Sequence, residues 1–164
     1  MPVIDTPVTP ADLLHLRDAI ALARRSRDGG NHPFGALLVG PDGQVLIGCG
    51  NTGRTGRDAT GHAERNLMTA ASQAYPPEFL ARCTMVTSAE PCAMCAGAAY
   101  WTGIGRIVYG LSEKGLGAII GPHPENLTMD LPCRTVLAAG QRRIEVAGPA
   151  LEDEAARDHI GFWD

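Results

Sequence analysis

Apolar positions recur along this chain with two periods, and the switches between them outline its elements. Leu13, Leu16, Ile20 and Ala23 fall at helical spacing. Thr9-Pro10-Ala11-Asp12 just ahead carries the marks of a helix start: a hydroxyl N-cap, proline at the first helical position and an acid in the first turn. Gly29-Gly30 ends that run. Phe34 to Val39 and Val45 to Cys49 are short apolar segments on either side of the turn Pro41-Asp42-Gly43-Gln44, which predicts a hairpin. Asn51 to Thr60 is rich in glycine and polar residues and reads as a loop. Gly61 to Ala74 predicts a helix, Cys83 to Ser88 a buried strand, Cys92 to Trp101 a packed helix, and Arg106 to Leu111 a further strand. Gly115 to Pro132 holds Gly, Pro and Asn throughout and is expected as a long loop, of a length usually tied to function. Cys133 to Ala139 predicts a helix, Arg143 to Ala147 a strand and Leu151 to His159 a terminal helix.

The resulting order is α-β-β-α-β-α-β-α-β-α. Strands that alternate with helices need crossover connections, so the expected fold is α/β, a three-layer α/β/α arrangement with a mixed five-stranded sheet. A length of 164 residues suits a single domain spanning 1–164. Apolar residues at 45% and charged residues at 20% indicate a globular chain rather than a disordered one. No run approaches the roughly 20 apolar residues of a membrane span. Met1-Pro2-Val3-Ile4-Asp5 lacks the basic and apolar regions of a signal peptide, so a cytoplasmic location is expected. The formal net charge of −4 is a poor match to nucleic-acid phosphates and favours a small-molecule substrate.

Five cysteines do not make a disulfide scaffold here. Cys49, Cys83 and Cys133 are scattered and read as small buried hydrophobes. Cys92 and Cys95 form a C-x-x-C pair after Pro91, and His62-Ala63-Glu64 lies upstream. Taken alone, the pair could serve redox chemistry, and an isolated His near a helix start is ordinary. Together they supply one imidazole and two thiolates, three ligands of a tetrahedral zinc site with a position left for water. On a helix, His62 and Glu64 would point roughly 200° apart, which suits separate roles. Cys92 and Cys95, three apart, would share a face of a helical first turn, where the dipole favours thiolates. Zinc lowers the pKa of bound water toward ~7, and a carboxylate beside it can move protons.

At these residues the chain resembles the cytidine deaminase-like superfamily, whose H-x-E…P-C-x-x-C pattern carries hydrolytic deamination of nucleobases. The order of elements follows that superfamily from about Ala11 to Ala147. The H-A-E form is similar to the branch of guanine deaminases, yeast-type cytosine deaminases and tRNA adenosine deaminases; free cytidine deaminases commonly begin the triplet with Cys. The resemblance implies that His62, Cys92 and Cys95 hold one Zn2+ and that Glu64 shuttles protons. It places Phe34 and Ala36 of Pro33-Phe34-Gly35-Ala36 along the substrate pocket, with Asn51 bonding the base and Ala63 among the substrate contacts. Asp58 of the run Asp58-Ala59-Thr60-Gly61-His62 reads as a turn residue, and Glu90 as a support to the ligands. Trp101, after Tyr100, is expected to line the base pocket or a subunit interface, with ordinary packing an equal alternative. Trp163 is expected to close the site. Bacterial guanine deaminases carry an acid shortly after the strand corresponding to Arg106–Leu111, a role open here to Glu113, Glu154 or Asp158. The implied substrate is a free base or nucleoside, a purine such as guanine first, with tRNA wobble adenosine or cytosine as alternatives, and the implied assembly is a homodimer.

Overall fold

The computed structural model describes residues 2–164. In chain order the elements are β1 (Val3–Asp5), α1 (Pro10–Asp28), β2 (Gly35–Val39), β3 (Val45–Gly50), α2 (Ala63–Ala74), α3 (Pro77–Leu80), β4 (Thr84–Ala89), α4 (Ala93–Thr102), β5 (Arg106–Leu111), α5 (Glu113–Ile120), α6 (Cys133–Ala138), β6 (Ile144–Ala147) and α7 (Glu152–Ala156). The strands form one six-stranded sheet in the order β1-β6-β5-β4-β2-β3. The β1, β6, β5 and β4 ladders are parallel, and β2 joins β4 and β3 antiparallel. The mixed α/β fold is as expected, with one strand more than the five predicted.

Side-chain alternation divides the interior into layers. Ala36 and Leu38 of β2 and Met85 of β4 pack with Leu67, Met68, Ala96, Ala99 and Leu137 from α2, α4 and α6. Leu37, Val39 and Val86, the intervening residues, meet Leu16 and Ala19 of α1 on the other face. Every residue of β2 is buried, as a strand covered on both faces must be. Gly35 lets α1 cross β2 closely; a Cβ there would lie 2.4 Å from Ala19 O.

Helix α1 starts with the expected cap. Asp12 N donates to Thr9 Oγ1 at 3.1 Å, and Thr9 N donates to Asp12 Oδ2 at 2.8 Å, closing a capping box. Arg106 at the start of β5 donates to both Asp12 oxygens at 2.8 Å and ties the helix start to the sheet.

Four expectations are corrected. The segment expected as a loop from Gly115 begins inside α5, because Ser112 caps it by accepting from Gly115 N at 3.1 Å and Leu116 and Ile120 pack inward one turn apart. Its glycines suggested a loop, but packing outweighed propensity. The extra strand β1 forms only by pairing with β6. The terminal helix covers Glu152–Ala156, shorter than predicted. His62 and Cys92 are the N-caps of α2 and α4 rather than helical residues, so the angular relations expected of a helix interior do not apply to them. Among the other cysteines, Cys83 and Cys133 are buried in the core and Cys49 packs half-buried against it.

Candidate active site

Two helix starts converge beyond the end of β4. His62 caps α2 and Glu64 lies in its first turn; Cys92 caps α4 and Cys95 lies in its first turn. His62 Nδ1 is 3.6 Å from both Cys92 Sγ and Cys95 Sγ. The ligand atoms of the three residues all lie within 4.8 Å of one another. A tetrahedral ion with Zn–S about 2.3 Å and Zn–N about 2.0 Å separates S and N by about 3.5 Å. The cluster has that spacing, and a single ring N–H does not serve two sulfurs at once. The donor set therefore fits zinc.

The hydrogen bond from Cys95 pulls Cys92 down to about 4, while Cys95 is held above the usual thiol range by that bond and by burial. Hydrogen bonding with Cys92 raises His62. Glu64 is 4% exposed, and burial pushes its carboxyl above the ordinary range, with the Cys92 charge adding to it. Thr87 on β4 places Oγ1 2.9 Å from Glu64 Oε1.

His62, Glu64 and Cys92 open onto a cavity of about 310 Å³, near the lower end for small-molecule sites (roughly 300–1,000 Å³). Its wall includes Phe34, Asn51, His62, Glu64, Cys92 and Glu113. Asn51 is buried just past β3, and its Oδ1 accepts from Gly53 N at 2.9 Å, which leaves the amide NH2 free for a ligand. Glu113 is buried on the first turn of α5, and no described group pairs with its carboxyl. Burial, together with the charges of Cys92, Glu90 and Glu64, pushes Glu113 up to about 7. Glu90 accepts from Glu113 N and from Cys133 N, both at 2.8 Å, and so anchors the starts of α5 and α6.

Other expected contacts fall elsewhere. Ala36 and Ala63 are fully buried in the apolar core and are absent from the cavity wall, because their side chains point at the sheet–helix interface. Trp101 is 85% exposed on the outward face of α4 and does not reach the cavity. Its neighbour Tyr100 packs on Gly140 and accepts from Gln141 N at 3.0 Å. Trp163 is buried behind the wall, its ring 4.8 Å from that of His32 and its Nε1 donating to His159 Nδ1 at 3.3 Å. It supports His32 from behind, and it does not line the cavity. Asp58 accepts from Thr60 N at 2.9 Å as a turn residue, and it also borders the cavity. Glu154 pairs with Arg17 and Asp158 with Arg24, so of the three candidate acids only Glu113 reaches the wall.

The mouth contains residues that sequence reasoning missed. Arg54 donates to Glu125 Oε2 at 3.1 Å through Nε, His32 Nε2 lies 3.0 Å from the same oxygen, and the Arg54 guanidinium stands 5.0 Å from the Phe162 ring centroid. Glu125 and Asn126 belong to the stretch after α5, whose length is of the kind tied to function but whose Gly- and Pro-rich composition does not single out these two residues. Thr87 carried no signal either, being one polar residue in an apolar strand.

Residues 10–111 match the family described as the cytidine and deoxycytidylate deaminase zinc-binding region. A probable cytosine deaminase of Schizosaccharomyces pombe is 40% identical over 159 residues, 97% of this chain and 96% of that protein. A guanine deaminase of Bacillus subtilis is 38% identical over 87 residues, 52% of this chain and 55% of the relative. Among solved structures, a guanine deaminase from Nitrosomonas europaea superposes with a TM-score of 0.73 at 27% identity, covering 93% of this chain and 83% of that one.

Proposed function

Because the chain belongs to the cytidine and deoxycytidylate deaminase family, and so to the hydrolytic deaminases acting on C–N bonds, we propose that it deaminates a free nucleobase or nucleoside, guanine first, with zinc as cofactor. The observation that carries this reading is that the buried Glu64 carboxylate opens onto the same cavity as His62 and Cys92 of the metal-binding cluster. His62, Cys92 and Cys95 are the proposed zinc ligands, one ion per chain. When bound, zinc acts as a Lewis acid and lowers the pKa of water in its open position.

Glu64 takes one proton from the attacking water and gives it to the ring nitrogen beside the amidine carbon. It then carries the second proton to the exocyclic amine; the C–N bond breaks as the C=O forms, and ammonia leaves. Burial suits Glu64 to this work, since a carboxyl held above its ordinary range takes up a proton more readily than an exposed one. Phe34 offers an apolar face to the ring, and the Asn51 amide offers a donor. Glu113, the cavity carboxyl with no described partner, suits a ring N–H or amine. Guanine presents more such donors than cytosine does, which is why it comes first.

Cytosine is the second reading, favoured by the 40% identity to the fission-yeast protein across nearly the whole chain. A tRNA substrate is a poor electrostatic partner for a chain of net charge −4. We expect a cytoplasmic homodimer that uses the exposed face of α4, where Met94 and Trp101 stand in solvent; sizing of the purified chain checks this. No helix of the described residues is long and apolar enough to cross a membrane.

Ammonia release measured across guanine, guanosine, adenine and cytosine tests the substrate. Guanine is expected to turn over fastest. Cytosine turnover with guanine silent would move the assignment to the second reading. Silence on every base, with a tRNA anticodon stem also unreacted, would overturn it.

A further inference from the structure

Resting on the reading of Glu64 as the proton carrier, we propose that Thr87 is its positioning residue: the hydroxyl holds one carboxylate oxygen so that the other is presented to the reacting ring.

Thr87 lies on β4, a central strand paired on both sides, and is 0% exposed. Along β4, Met85 packs toward α2 and α4 while Val86 packs toward α1. Alternation gives Thr87 the Met85 face, a position otherwise filled by apolar side chains. A hydroxyl buried there is costly unless it is paired. It has two partners: Glu64 Oε1 at 2.9 Å and Ala89 O at 3.0 Å.

The two side chains differ in stiffness. Glu64 has three rotatable bonds, whereas a β-branched threonine in a central strand is fixed at χ1. The strand therefore sets where Oγ1 lies, and Oγ1 sets where Oε1 lies. Fixing one oxygen fixes the plane of the carboxylate and so the direction of its partner. Proton transfer is sensitive to such placement, and an error of about 1 Å can cost on the order of 100-fold in rate.

The hydroxyl has one hydrogen and two acceptors, so it follows the state of Glu64 through the cycle. It points to the carboxylate while that is anionic and turns to Ala89 O once the carboxyl holds the proton taken from water. The proton in transit remains on Glu64, and Thr87 only reorients its own. A satisfied core hydroxyl would need only the Ala89 bond; the second contact, made to the reacting carboxylate, separates the two roles.

The test compares the zinc-loaded wild type with Thr87→Val, which keeps the shape, and Thr87→Ser, which keeps the hydroxyl. Thr87→Val is expected to lower kcat by about 10- to 100-fold, with KM within about twofold and zinc content unchanged. Thr87→Ser is expected to recover kcat to within about threefold of wild type. Crystal structures of wild type and Thr87→Val are expected to show the Glu64 carboxylate turned in the variant. Unchanged kcat in Thr87→Val, a loss of kcat that tracks loss of zinc, or failure of the serine to rescue would overturn the proposal. If the wild type deaminates nothing, the functional reading falls by itself; the Glu64 orientation still decides the positioning role, and an unturned carboxylate in Thr87→Val rejects it.

Discussion

The floor and the mouth of the cavity are built by different means. The floor consists of His62, Cys92, Cys95, Glu64 and Thr87, set on two helix starts and a central strand. The mouth consists of His32, Arg54, Glu125 and Asn126, carried on connecting segments; Glu125 contacts His32 and forms an ion pair with Arg54 whose partners are 42% and 46% exposed. Parts that must hold reacting atoms sit where backbone and packing leave little freedom. Parts that admit and release a ligand are held by contacts worth little individually. The division teaches that chemistry and access are separable here, and each can be attacked without the other.

The sharpest cut is at the floor. Glu64→Gln keeps the shape of a buried side chain and removes its ability to move protons, so ammonia release should fall by about 10²- to 10⁴-fold. Elemental analysis should find its zinc retained. Near-normal turnover would remove the floor's assigned role. Stripping the metal is the next test. With zinc about 1,000-fold above its Kd, binding contributes about 4 kcal/mol to folding. Chelation should therefore lower the melting temperature, zinc should restore it, and Cys95→Ser should resemble the chelated protein in calorimetry.

The aromatic backing of the mouth offers a test by pH. Burial lowers His159 from 6.5 to about 4, so the folded protein holds it neutral. As pH falls from 6.5 toward 4, the unfolded chain takes up a proton that the folded one refuses, and stability declines across that window. The full loss is about 3 kcal/mol. Urea unfolding at pH 7 and at pH 4.5 should show it, with a smaller drop in His159→Gln. The smallest effect belongs to the rim. Glu125→Gln should change stability by less than about 1 kcal/mol, raising KM while kcat holds. A fall in kcat as deep as that of Glu64→Gln would break the division between floor and mouth.

The same division decides what the sequence discloses. His62, Glu64, Cys92 and Cys95 sit in two short segments whose spacing is itself the chemistry, so they are legible from the chain alone. Glu125 meets Arg54 and His32 from 71 and 93 positions away, and no local pattern announces such a meeting. Thr87 is polar in a strand where only the sheet reveals that it faces Glu64. Strand β1 spans three residues, too short for its own pattern, and exists because β6 presents an edge. Trp101 shows the same limit from the other side: its place in the sequence leaves pocket, interface and packing open, and only the fold puts it on the solvent face of α4. Elements with strong periodicity, such as α1 and the β2–β3 hairpin, appeared where expected, because local preference and packing agree there.

Glu90 has a consequence for redesign. Its two oxygens each take a backbone N–H from a different helix start, so the end of β4 anchors both α5 and α6. Widening the pocket for a bulkier ring would naturally begin with Leu116 or Glu113 on α5. That helix shares its mooring with the residue two places before Cys92, so any shift in it is transmitted to the metal ligands. A successful variant will have to reshape the wall by side-chain exchange and leave this double tether untouched.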